Sequence, residues 1–198
     1  MNTTMAHVTR ESLMPLETYA KSRPEFRARV MAHKKDRTLQ LGDHVTLIFE
    51  DELTIRYQIQ EMLRAERIFE EEGINDELEA YNPLIPDGSN WKATMMIEYP
   101  DENERRIWLA KLIGIEDKVW LQVAGHDRSY AIADEDLERE NDEKTSSVHF
   151  LRFELTAAMV AALRGGAVLE AGVDHHNYRV EARPVSAVTQ MSLLQDLR

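Results

Sequence analysis

The segment DELTIRYQIQEMLRAERIFEEEG, from Asp51 to Gly73, constrains the fold more than any other part of the chain. Plotted at about 100° per residue it predicts a helix over about 52–70, with Gly73 as its stop. Ile55, Ile59, Met62 and Phe69 gather on one side, and Arg56, Gln60, Arg64 and Arg67 on another. Tyr57, Glu61 and Ile68 form a third, mixed face. A helix with apolar residues on two sides must lie between other elements, so this one is expected to be central and largely buried. Glu66 projects into the apolar sector and Gln58 onto its margin. Such groups need hydrogen-bonding partners when they leave water.

The flanking elements interleave irregularly. Residues 12–22 read as a short helix with Pro15 in its first turn, and Pro24 opens a second, PEFRARVMAHKK. HVTLIFE is a strand with Val45, Leu47 and Phe49 on one face. INDELEAY is a short helix, 82–90 a loop holding Pro83, Pro86 and Asp87-Gly88, and WKATMMIEY a strand. Asp101 caps a helix that ends near Gly114. KVWLQVA and RSYAIA form a hairpin around Gly125. The acidic stretch 134–147 reads as a solvated helix or a linker. Beyond it come a strand (VHFLRFEL), a helix (TAAMVAALRGG), two strands (AVLEAGV and YRVEA) and a terminal helix opened by Pro184. The expected fold class is α+β, with a mixed, mainly antiparallel sheet packed by several helices. Residues 1–140 make the main unit. Residues 147–198 make a strand–helix–strand–strand–helix unit, either separate or part of the same domain.

Charge and composition exclude several classes. The chain has no cysteine, which removes disulfides, thiolate metal sites and cysteine-ligated clusters; no haem is expected either, and the cofactor is unknown. No window approaches 18 uncharged apolar residues, and MNTTMAHVTRESLM lacks a secretory pattern, so a cytoplasmic location without membrane attachment is expected. The net charge is −12. An overall attraction to nucleic acid is therefore not expected. Residues 21–37 nevertheless carry seven cations against two carboxylates, a net of +5. Residues 134–143 carry seven carboxylates against Arg139 alone.

Three groups of residues can carry chemistry. Glu61, Glu66 and His149 are the candidates for a buried catalytic or cation-binding pocket, against the plainer reading of structural ion pairs and a satisfied core histidine. His149 shares a strand face with Leu151, Phe153 and Leu155, opposite Phe150, Arg152 and Glu154. Gln58 belongs with the pocket. Tyr81, Asn82, Asp87, Asn90 and Trp91 offer a rigid loop surface, against the reading of an ordered connector. Arg27, Lys34 and Lys35 offer a basic binding face, against the reading of a solvated helix. The adjacent His175 and His176 point to opposite strand faces, and no metal is established from spacing. GxxxxGK[ST], GxGxxG and GxSxG are all missing from the sequence.

The stretches RPEFRARVMAHKKDRTLQLGDHVTLIFEDELTIRYQIQEMLRAERI, ELEAYNPLIPDGSNWKATMMIEY, YAIADEDLERE and KTSSVHFLRFEL resemble bacterial proteins grouped as domain of unknown function 3501. The resemblance runs from about Leu16 to the C-terminal helix. It implies an accessory role beside rubrerythrin-like and iron–sulfur oxidoreductase proteins, and it transfers no functional residue. The leading expectation is thus an accessory or binding protein with a protein partner, redox-related and acting in oxidative-stress metabolism; homo-oligomerisation is compatible with it. The alternative is an enzyme or metal-binding protein built on the carboxylate–histidine pocket.

Overall fold

The computed structural model describes residues 7–141 and 143–198. Met1–Ala6 and Asp142, part of the N-terminal and acidic stretches read above, lie outside them. The chain runs α1 (Leu16–Lys35), β1 (Thr38–Leu41), β2 (Val45–Phe49), α2 (Glu52–Glu66), α3 (Glu71–Tyr81), β3 (Asn90–Ile97), α4 (Glu102–Lys111), β4 (Val119–Val123), β5 (Arg128–Tyr130) and β6 (Ile132–Ala133). It finishes β7 (Val148–Glu154), α5 (Ala157–Arg164), β8 (Leu169–His175), β9 (Tyr178–Pro184) and α6 (Ala187–Leu194). The class is α+β, as expected. Every strand pairing is antiparallel, in two sheets rather than one. The five-stranded sheet has the order β1-β2-β3-β7-β6 and the four-stranded sheet β5-β4-β8-β9. The expected hairpin around Gly125 forms as β4–β5, and its second arm then crosses at Ala131 to join the other sheet as β6.

Strand alternation decides what each sheet face meets. Val45, Leu47 and Phe49 of β2, Trp91, Ala93 and Met95 of β3, and Leu151 and Phe153 of β7 face the main core. They share it with Val119, Leu121 and Val123 of β4 and with Leu169, Ala171 and Val173 of β8. Val160, Leu163 and Leu193 from α5 and α6 complete it. Strands from the 147–198 segment therefore lie inside both sheets: β7 sits between β3 and β6, and β8 between β4 and β9.

The α2 helix is sandwiched as its sequence demanded. Tyr57 packs on Tyr19, Phe26 and Val30 of α1, while Ile55, Ile59 and Leu63 pack on Ile74 and Leu78 of α3 and on Val8 and Leu13. Its end is earlier than expected. Arg67 adopts φ 57° and Ile68 N–H donates to the Leu63 carbonyl, which closes the helix before Glu70. Gly73 is therefore no stop and lies inside α3. Its hydrogen is needed for close approach, since a Cβ there would lie 2.7 Å from Ile68 Cγ2. Two residues expected to face inward are exposed: Glu66, in the last turn of α2, and Phe69, beyond its end, at 69%.

Two expected N-terminal helices are one. Pro24 lies inside α1, although it lacks the N–H that would bond the carbonyl four residues earlier and costs about 3 kcal/mol in a helix interior. The stripe Tyr19, Phe26 and Val30, all buried on α2, outweighs that local preference. The acidic stretch forms neither a helix nor a free linker. Asp134 accepts from Phe150 N–H and from Arg139, Thr145 N–H donates to Leu109 O, and Glu140 bridges Thr145. These bonds strap it onto β7 and α4. No helix among the described residues is long and apolar enough to cross a membrane.

Candidate functional site

The outer face of the five-stranded sheet, opposite the core, carries Ile48 from β2, Lys92, Thr94 and Met96 from β3, and Val148, Phe150 and Arg152 from β7. Antiparallel register sets Thr94 beside Phe150 and Met96 beside Val148. Above this face lie α2, α3 and the 3-10 turn Asn82–Leu84. The two layers do not close. A cavity of about 440 Å³ opens between Glu79, Pro83 and Leu84 on one side and Lys92, Phe150 and Arg152 on the other. A second, of about 290 Å³, continues between Ile55, Gln58 and Tyr81 and the strand residues Ile48, Thr94 and Met96. Leu84 and Phe150 line both, so the two form one groove.

The groove has an apolar floor and charged walls. Its carboxylates are largely spoken for. Glu135 is held by Arg152 at 2.7–2.8 Å, Asp136 by Arg139 at 2.6–2.8 Å, and the buried Glu50 accepts from Thr94 Oγ1 at 2.6 Å. Arg152 donates to both Glu135 and Glu154, and its hydrogen bonds pull the Glu135 carboxyl below the usual carboxylate range. Lys92 and Lys34, by contrast, have no salt-bridge partner among the described residues. The Lys92 ammonium donates to the Pro83 carbonyl, and burial pushes its pKa below the ordinary lysine value.

His149 lies on the opposite, inward face, as its alternation with Leu151 and Phe153 predicted. It is fully buried. Nδ1 meets Asp134 Oδ2 at 2.6 Å, and Nε2 meets Thr145 Oγ1 at 2.9 Å and the Ser146 carbonyl at 3.0 Å. Glu116 Oε2 stands 3.9 Å from Nε2 and has no hydrogen-bond partner among the described residues. Burial raises the Glu116 carboxyl well above its ordinary range, its own backbone amide and His149 oppose the rise, and Glu140 adds to it.

The expected pocket of Glu61, Glu66 and His149 does not form. Glu61 is engaged on α1, accepting from Arg23 twice at 2.7 Å and from Tyr19 Oη at 2.7 Å. Arg23's hydrogen bonds pull its pKa to about 2. It shares no partner with His149. The buried amide of α2 is Gln60, which closes both hydrogen bonds on the Met14 backbone, and not Gln58. The 81–91 loop is an ordered connector over much of its length. Trp91 is fully buried and donates to the Leu193 carbonyl, Asn90 is buried between Asp87 and Glu154, and Asn82 pairs with both backbone groups of Val8. Asp87 closes a turn on Ser89. Tyr81, Gln58 and Lys34 are the three expected binding residues that the fold brings together, in the groove. Arg27 and Lys35 stay exposed on α1.

Several residues gained importance only in three dimensions. Arg37, counted above among the cations of 21–37, is 1% exposed. It donates to the Phe49 and Glu50 carbonyls and meets Asp196 at 2.5 Å, pinning α1 to β2 and to the segment after α6. The groove left a trace in sequence: Met95-Met96 and Phe150-Leu151 place apolar residues on both strand faces, the pattern of a sheet covered on both sides.

The chain belongs to the family described as protein of unknown function (DUF3501), whose model matches residues 7–197. It is similar to a crystal structure of a novel protein of unknown function from Burkholderia pseudomallei, with 56% identity and a TM-score of 0.93. That match covers 96% of this chain and 99% of the other. No curated protein matches it.

Proposed function

We propose that this member of the family is a binding protein for a small organic anion with an apolar body, held in the groove between the outer sheet face and the α2–α3 layer. The observation that carries this reading is the continuous groove sharing Phe150 and Leu84, with cavities of about 440 and 290 Å³. Ligand pockets have this scale and this pattern of apolar lining with few polar groups. Charge selects the sign of the ligand. The wall carboxylates other than Glu79 already have an arginine or a hydroxyl, whereas Lys34 and Lys92 make no salt bridge among the described residues. Burial makes Lys92 gain more from an anion than an exposed lysine would. Under this reading the ligand is a small molecule, in place of the protein partner expected from sequence.

Anilinonaphthalene sulfonate, an apolar ring system with one anionic end, is a direct probe. Its fluorescence should rise saturably with the wild-type protein. Phe150→Glu should weaken binding at least tenfold, and Met191→Glu, at an exposed position on α6, should leave it unchanged. No rise with wild type, or equal binding by Phe150→Glu, would refute the proposal.

A further inference from the structure

We infer that Glu116, Thr145, the Ser146 carbonyl and His149 form a binding site for one divalent first-row metal ion on the inner side of the five-stranded sheet, remote from the groove's side of it. The three oxygen donors gather around His149 Nε2. From His149 Nε2, Thr145 Oγ1 lies at 2.9 Å, the Ser146 carbonyl at 3.0 Å and Glu116 Oε2 at 3.9 Å. Metal–ligand bonds of about 2.1 Å put neighbouring donors about 3.0–3.4 Å apart in octahedral or tetrahedral geometry. Two of the three separations already fall near that window, and a half-ångström movement of the Glu116 carboxylate brings in the third.

Glu116 is the independent sign of a ligand. It is 5% exposed, and its Oε2 stands 3.9 Å from Nε2 with no hydrogen-bond partner among the described residues, where an unpaired buried carboxylate oxygen carries a full desolvation penalty. A cation removes that penalty. Asp134 sits where an orienting carboxylate is needed. Its Oδ2 holds Nδ1 at 2.6 Å while Oδ1 is fixed by Phe150 N–H, so Nε2 is aimed at the site. Glu116, Asp134 and His149 offer ligand atoms all within 4.8 Å of one another. One imidazole nitrogen with carboxylate, hydroxyl and carbonyl oxygens suits Zn²⁺ or Mn²⁺ and does not select Cu⁺.

The test uses the full chain, purified without chelators, dialysed against EDTA and titrated with Co²⁺, Zn²⁺ and Mn²⁺. One equivalent of Co²⁺ should give visible absorption bands, and Zn²⁺ or Mn²⁺ should raise the melting temperature by several degrees. Glu116→Gln, nearly isosteric, should weaken binding at least tenfold, as should Thr145→Val, whereas Glu138→Gln at an exposed acidic position should change nothing. Absence of bands and of any melting shift in the wild type would overturn the site. So would unaltered binding by a folded Glu116→Gln protein.

Discussion

Replacing Glu61 by glutamine keeps the shape of the side chain and removes the charge that Arg23 and Tyr19 grip. Arg23 places two hydrogen bonds of 2.7 Å on the carboxylate and holds its pKa down at about 2, against an ordinary 4.5. At full strength that displacement corresponds to about 3 kcal/mol of folding free energy. The two side chains keep 30% and 22% exposure, so solvent screening reduces the figure to about 1–2 kcal/mol. The sign follows from the lowered pKa. This contribution is fully present above the unfolded value of about 4.5 and is lost as pH falls through about 2. Urea unfolding of wild type and Glu61→Gln should therefore differ by about 1–2 kcal/mol at pH 7, with the gap closing toward pH 2. No difference at pH 7, or a gap that persists unchanged at pH 2, would refute the assignment of Glu61 as a structural ion pair.

Two further substitutions test the frame that holds the groove. Arg37→Met should cost about 3–5 kcal/mol in urea unfolding, because Asp196 and two carbonyls lose a buried partner. Gly172→Ala should destabilise by about 3 kcal/mol or more, since its Cβ would fall 2.2 Å from Trp120 Cζ2 and 2.6 Å from the Val180 carbonyl; a melting temperature within a degree of wild type would contradict that packing.

The elements legible in sequence are those whose periodicity and caps agree. Asp101 does accept from Glu104 N–H and Thr156 from Met159 N–H at the helix starts where they were expected. The two-sided apolar pattern of α2 announced its place between α1 and α3. Phe69 failed because the helical projection was carried past Arg67, where the backbone turns left-handed, and Glu66, in the last turn of α2, stands exposed. Pro24 failed because tertiary burial of Tyr19, Phe26 and Val30 overrides a local preference. The site was less legible than the fold. His149 could be placed on the core face by alternation, but its partners Glu116 and Asp134 arrive from segments 33 and 15 residues away in sequence. Arg37 and Asp196 are separated by 159 residues and meet only through the packing of α6. The groove depends on two layers failing to close, a property of their spacing that no single segment encodes.

Amide chemical-shift mapping with anilinonaphthalene sulfonate locates the bound anion residue by residue. The shifted amides should cluster in 79–84, 92–96 and 148–152, on the two walls of the groove. Shifts gathered instead around the exposed Val188 and Met191 of α6, with the groove segments unmoved, would contradict it.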